Sequence, residues 1–233
     1  TENDNLAIGY QAMTTDTAGG TQNIALGNYA LDALTSGDSN VAIGYNALTA
    51  NTTGIKNSAV GADTLVDNST GAGNTSLGYA ALANNTTAND NVAVGKEALF
   101  TNITGANNTA IGKDAMFNNT ASDNTAVGKG ALQANTTGTY NTAVGKSALA
   151  ANTTANGNTA LGVSAMIGNT TGANNIAVGY GALYTNTTGT RNVVIGVEAM
   201  DDSDTESDNM AIGYQAMTVN TAGGEYNVAI GNY

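Results

Sequence analysis

Asn141-Thr-Ala-Val-Gly-Lys-Ser-Ala-Leu149, followed by Asn152-Thr-Thr-Ala155, decides how this chain is read, because most of the remaining sequence is a copy of it. Its glycine recurs as Gly9, Gly27, Gly44, Gly61, Gly78, Gly95, Gly112, Gly128, Gly145, Gly162, Gly179, Gly196, Gly213 and Gly231. The spacing is 17 residues, apart from one step of 16 (Gly112 to Gly128) and steps of 18 at Gly9 to Gly27 and Gly213 to Gly231. Each exception coincides with a turn: the run Asn119-Thr-Ala-Ser122, and the doubled glycines Gly19-Gly20 and Gly223-Gly224. Turns absorb length changes at little cost. A fixed short period predicts a solenoid in which every repeat is one coil stacked on its neighbours.

Within each repeat the residue four before the glycine is always Asn, including Asn40, Asn91, Asn141 and Asn158 ahead of Gly44, Gly95, Gly145 and Gly162. The residue just before the glycine is Ile, Leu or Val. Between them lie a variable position and an Ala, replaced only by Ser76 and Val194. A short β-branched run bounded by Asn and Gly predicts a strand of about four or five residues, too short for a helix. After the glycine come a variable pair, then Ala (Thr64 in one copy), then Leu or Met. This second apolar patch fits a strand or a helical turn equally well. Asn-Thr-Thr-Gly or a near copy closes the repeat, as at Asn51, Asn85 and Asn152. Asn and Gly tolerate the left-handed backbone region and Thr bonds locally, so this is a turn.

The expected fold is therefore all-β: a parallel β-solenoid, or β-roll, of about 14 coils, forming a rod of roughly 65 Å at one strand spacing per coil. Residues 1–233 read as a single repeat array. Residues 1–29 align with 205–233 at an offset of 204, twelve periods of 17, so the chain reads as a segment of a longer array.

The chain has no Pro, Cys, His or Trp and a net charge of −12. Without Cys or His there is no disulfide frame, thiolate nucleophile or imidazole base, and no common transition-metal ligand. The acidic balance argues against nucleic acid as a partner. No apolar run reaches the roughly 20 residues of a membrane span. The eighteen acidic residues show no repeated or isolated pair of the kind that cleaves glycosides. The chain reads as a non-enzyme with no catalytic residues and no cofactor.

Neighbouring residues of an extended strand point to opposite sides, so Ala143 and Val144 cannot share a core, nor, if extended, can Ala148 and Leu149. The expected arrangement puts Val144 and Leu149 inside the coil. The column Ala110, Ala126, Ala143 and Ala160 then lies outward against a second copy of the chain, where small side chains allow close approach. The partner is the chain itself, as a homotrimer.

The Asn column has two structural readings, an amide ladder along the stack or a bend at the start of each strand. Thr109, Thr125, Thr142 and Thr159 occupy a slot that holds Val elsewhere and read as strand residues. An ice-binding face would call for paired outward threonines, which Thr52-Thr53 in a turn does not supply. After the anchor glycine stand Tyr10, Tyr45, Tyr79, Tyr180 and Tyr214, with Lys96, Lys113, Lys129 and Lys146 between them. This is an exposed column or, more sharply, a strip that contacts glycans. The run Asp201-Asp-Ser-Asp-Thr-Glu-Ser-Asp208 replaces the usual turn. It reads as a solvated acidic loop, with Asp202, Asp204 and Asp208 as candidate ligands for calcium, a cation that accepts six to eight oxygens.

The motif Asn40-Val-Ala-Ile-Gly44, repeated at Asn227-Val-Ala-Ile-Gly231, resembles the head repeats of trimeric autotransporter adhesins. It is also similar to the Asn-Thr-Ala-Ile-Gly repeats of phage tail-fibre shafts. The resemblance implies a left-handed β-roll, a homotrimer, and an extracellular, cell-surface or virion location. Two functions follow as expectations: a structural fibre or filament segment acting as a rod, or an adhesin whose solenoid wall binds host matrix or glycans.

Overall fold

The computed structural model describes residues 4–15, 19–218 and 224–232, so Gly223 of the second doubled glycine lies outside the described residues. The repeat is an all-β parallel β-solenoid, and each coil contributes one strand of three residues. The chain divides into two units, Thr1–Asp114 and Ala115–Tyr233. The first holds β1 (Leu6–Ile8), β2 (Ile24–Leu26), β3 (Val41–Ile43), β4 (Ser58–Val60), β5 (Thr75–Leu77), β6 (Val92–Val94) and β7 (Thr109–Ile111). The second holds β8 (Thr125–Val127), β9 (Thr142–Val144), β10 (Thr159–Leu161), β11 (Ile176–Val178), β12 (Val193–Ile195), β13 (Met210–Ile212) and β14 (Val228–Ile230). Among the described residues no helix is long and apolar enough to cross a membrane.

Within each unit successive strands pair in parallel with no slip, so that like stacks on like. Ala42 of β3 lies between Ala25 and Ala59, and Ala143 of β9 between Ala126 and Ala160. The two 18-residue steps leave this register intact. Leu6 still pairs with Ile24 across the 18-residue step, and Gly19, at φ 87°, has open space beside it. The 16-residue step loses its residue between Asn119 and Asn124, where the turn shortens so that Asn124 Nδ2 reaches Asn119 Oδ1. Hydrogen bonds between coils run both ways along the stack. In the Thr142 coil the Thr142 and Leu149 N–H groups donate onward to Asn158 and Ala165 carbonyls, at 2.8 and 3.0 Å, whereas Gly145 N–H donates back to Val127 at 2.8 Å.

The segment after the strand is neither a strand nor a helical turn. Its backbone alternates into the left-handed region, as at Asn46 (φ 54°) and Leu48 (φ 51°), and does so once more before the next strand, at Lys56 (φ 58°). Left-handed φ is costly for β-branched residues. All three columns obey this restriction, and none holds Val, Ile or Thr in any copy. That explains why the second apolar column is only Leu or Met, while the column before the glycine is free to be Ile or Val. The anchor glycine answers a separate constraint. At Gly44 φ is 139° and an added Cβ would stand 2.3 Å from the Gly61 carbonyl oxygen, so the spine of stacked glycines excludes any side chain.

The curl after the strand overturns the expected faces. Ala143 is fully buried, while Thr142 is exposed and Val144 half-exposed, so the alanine column faces the coil interior and the aliphatics beside it face out. Ala148 and Leu149 are both fully buried. They share the core because the chain between them is not extended, which voids the alternation argument at that point. Inside a coil one wall supplies a Leu or Met, two Asn amides fill much of the rest, and the strand position opposite carries Ala in most coils, with Ser76 and Val194 as the exceptions. The alanine columns are therefore not a surface for another chain.

Asn40, Asn91, Asn141 and Asn158 are fully buried or nearly so and form the amide ladder. Asn141 Nδ2 donates to the Ala155 carbonyl at 2.8 Å, fourteen residues ahead, which closes its coil. Its Oδ1 accepts the Asn158 N–H at 3.0 Å, which ties the coil to the next. A second buried ladder runs through the turn asparagines: Asn152 Nδ2 donates to Asn135 Oδ1 at 2.8 Å and also to the Ala155 carbonyl at 3.2 Å. Two amides thus converge on one turn carbonyl, and the same pairing recurs at Gly54, Gly71 and Gly189.

Two departures from the repeat explain each other. Thr64 and Ser76, each standing where the other coils carry a core Ala, are buried together, and Thr64 Oγ1 donates to Ser76 Oγ at 2.7 Å and lies 3.1 Å from the Ala81 carbonyl. A buried hydroxyl requires a partner, and these two hydroxyls supply one another, with the Ala81 carbonyl as a second acceptor for Thr64.

The observed faces reverse the consequence of added or removed bulk in β9. Ala143→Leu should cost about 1 to 3 kcal/mol or more through overpacking of the coil interior. Val144→Ala, on the outer face, should cost less than about 1 kcal/mol in the dissociated chain. Urea denaturation of the two variants checks this, and the opposite order would restore Val144 to the core.

Candidate functional site

With the alanines turned inward, three outward surfaces remain for function: the strand face, the tyrosine and lysine column, and the acidic turn after Gly196.

The strand face carries the two residues that flank each buried Ala. No copy has a charged residue at either position. Several large side chains there are conspicuously bare, among them Leu77 and Leu161 (both 48% exposed) and Ile195 (40%). The threonine column shares this face, with Thr125, Thr142 and Thr159 stacked in register beside Val127, Val144 and Leu161.

The column after the anchor glycine is exposed, as expected. Tyr29, one position further on, bridges two of its members edge-to-face: Tyr10 at 5.6 Å between ring centroids, and Tyr45 at 5.9 Å. Lys96 Nζ lies 5.9 Å from the Tyr79 ring centre and 3.5 Å from Glu97, and Lys113 lies 3.5 Å from Asp114. These lysines are engaged locally with neighbouring side chains.

In the acidic turn the three candidate calcium ligands are not brought together. Asp202 and Asp204 are exposed. Asp208 is engaged by Arg191 from the preceding coil, whose Nε and Nη2 each donate to a carboxylate oxygen at 2.6 Å. This bond holds the Asp208 carboxyl below, and the Arg191 guanidinium above, their usual ranges. Among the described residues no three acidic groups are gathered into a set that could hold a metal ion. The turn instead shows a paired replacement. Ser203 stands in the Asn ladder and Glu206 in the glycine column, both buried, and Ser203 Oγ donates to Glu206 Oε2 at 2.8 Å. The backbone carbonyl of Glu206 still accepts Asn192 Nδ2 at 2.8 Å, so the coil closes as the others do. The cost falls on Asn186 Oδ1, which is left buried without a hydrogen-bond partner where the ladder stops.

Beside this turn lies a cleft of about 270 Å³ lined by Tyr180, Gly181, Tyr184, Glu198 and Asp201. Sequence reasoning missed it, although the columns signal it. Gly181 stands where other coils carry Asn46, Glu97 or Ser147, and its absent side chain opens the gap between the two tyrosines. Glu198 and Asp201 sit one repeat above Gly181 and Tyr184, and Glu198 N–H donates to the Tyr180 carbonyl at 2.8 Å. Glu198 Oε2 accepts Gln215 Nε2 at 3.0 Å, whereas Asp201 Oδ1 is buried with no partner. Burial raises the Asp201 carboxyl above its usual range, and Asp202 and Glu198 push it the same way against opposing backbone hydrogen bonds.

No family model, curated protein or solved structure matches the chain. The fold defines a parallel β-solenoid built from 17-residue coils, and its surfaces carry the functional argument.

The raised Asp201 carboxyl has a consequence for stability. The folded state holds this proton more tightly than the unfolded chain does, so its ionisation opposes folding, and stability falls as pH rises from the ordinary Asp range through the raised value. Asp201→Asn should be more stable than the parent at pH 7, and that gain should vanish below about pH 3.9, the ordinary Asp value. Thermal melts of both proteins at pH 7 and pH 3 measure the difference, and a parent at least as stable as the variant at pH 7 would refute it.

Proposed function

We propose that the chain is a structural rod segment of a fibre or filament, belonging to a surface appendage or a phage tail fibre outside the cell, and that its copies associate through the strand face. The observation that carries this reading is the absence of any charge from both outward strand columns in a chain of net charge −12. Exposed or half-exposed aliphatics recur from coil to coil and form a stripe within each unit, and such stripes mark places where another surface packs. Identical coils in register give identical stripes on every copy, which suits a symmetric homo-oligomer. The homotrimer implied by the resemblance to adhesin heads then uses these aliphatic columns, in place of the buried alanines, at its centre. In this reading the work of the chain is mechanical: the ladders hold each coil to the next, and the stripe holds one copy to another.

The adhesin reading keeps one specific support, the run of edge-to-face rings Tyr10, Tyr29 and Tyr45, which offers flat aromatic surface with polar tips away from the strand face. The two readings are compatible in one fibre, because they use different columns.

Sedimentation of the parent and of a Leu161→Lys, Ile195→Lys double variant at micromolar concentration tests the association. The parent is expected to sediment as a trimer and the variant as a monomer with unchanged far-UV circular dichroism. A monomeric parent, or a variant that assembles as well as the parent, would overturn the proposal.

A further inference from the structure

The cleft at Tyr180 and Tyr184 is not explained by the rod reading. A rod gains nothing from a gap in its wall, nor from a carboxylate oxygen buried without a donor. An unpaired buried acceptor is unfavourable, and here it borders an open cleft. All but one of the other coils fill the position of Gly181 with a side chain, the exception being Gly130, and the gap is not forced by the backbone. Gly181 has φ 60°, the value that Ser147 and Ser164 adopt in the same column. A Cβ there would meet only ordinary contacts, at 3.5 Å to Glu198 Cγ and 3.9 Å to Tyr184 Cδ2.

The lining is chemically one-sided. Two tyrosine rings, 56% and 44% exposed, flank two carboxylates. The charged groups that act on Asp201 are Asp202 and Glu198, both negative. The one nearby cation with a bond in this turn, Arg191, is committed to Asp208. Aromatic faces attract cations through their quadrupole, and they do so most strongly where water is excluded. A carboxylate oxygen without a donor calls for an N–H or O–H group. Metal ions are poorly served, since two carboxylates, one of them already bonded to Gln215, supply too few oxygens for calcium.

We propose that this cleft binds a primary alkylammonium group, with the Asp201 carboxylate accepting one of its N–H bonds, Glu198 supplying the second negative charge, and the rings of Tyr180 and Tyr184 packing on its alkyl stem and charge. The site needs one copy of the chain and does not depend on its assembly, so it can stand or fall apart from the fibre reading.

The probe is n-butylammonium chloride, titrated into the full chain while the backbone amide shifts of Gly181, Glu198 and Asp201 are followed by NMR. Sodium chloride, calcium chloride and 1-butanol serve as controls. Saturable shifts are expected with butylammonium alone. Two variants keep the fold and remove the site: Asp201→Asn deletes the charge, and Gly181→Gln fills the gap with the residue that Gln215 places in this column. Each should weaken binding at least about tenfold. The proposal is overturned if the shifts follow ionic strength, if calcium or butanol reproduces them, or if either variant binds as the parent does.

Discussion

Two asparagine amides meeting on a single turn carbonyl hold this solenoid in shape. In the Thr142 coil, Asn141 reaches across to Ala155 from the start of the strand and Asn152 reaches it from within the turn. The first bond closes the coil, while Asn141 Oδ1 bonds the backbone of the following coil and the Asn152 amide bonds the preceding one. A 17-residue coil has little interior, and one Leu or Met with two Ala buries too little apolar surface to fix its shape unaided. The buried amides take over that role. Because each is satisfied only if its neighbours are in register, they also make the register cooperative.

The remaining choices follow from this narrow interior. With amides on two sides and Leu149 on a third, the strand can present only a small residue inward, so the larger residues of β9 turn out. A three-residue strand has one inward position, which leaves two of every three strand residues on the surface. Both outward positions are uncharged in every copy, so this ratio puts an uncharged face on the surface of each unit. The left-handed residues complete the circuit, since they bend the chain back within a few residues of the anchor glycine. Their strain is tolerable because every turn is bonded to the coils above and below it.

Much of this was legible in the columns. The period and the strand with its boundaries can be read from residue types at fixed offsets, whereas the invariant Asn could be read as a ladder or as a bend, and the structure shows the ladder. The faces could not, because alternation says that Ala143 and Val144 part company but not which goes inside. The answer depends on how much room the opposite wall leaves, which is a property of the closed coil. The sequence did contain an unused signal for the segment after the glycine. A column restricted to Leu or Met, without Ile or Val, marks left-handed backbone as clearly as glycine does. Thr64 and Ser76 were visible as exceptions twelve residues apart, but their bond exists only once the coil brings the two positions together. The cleft was hidden for a similar reason. Gly181 and Tyr184 belong to one coil and Asp201 to the next, and their juxtaposition needs the stacking register.

The central claim, that the amide ladder fixes each coil and its neighbour, is tested most directly by removing one rung. Asn158→Ala deletes the bond from Nδ2 to the Gly172 carbonyl and leaves the Asn175 N–H, otherwise 2.9 Å from Asn158 Oδ1, buried without an acceptor. Equilibrium denaturation of this variant against the parent should show a loss of about 3 kcal/mol or more, well above the typical point substitution. A loss below about 1 kcal/mol would mean that the coils are held by their apolar contacts and backbone bonds alone, and the account given for the ladder would be wrong.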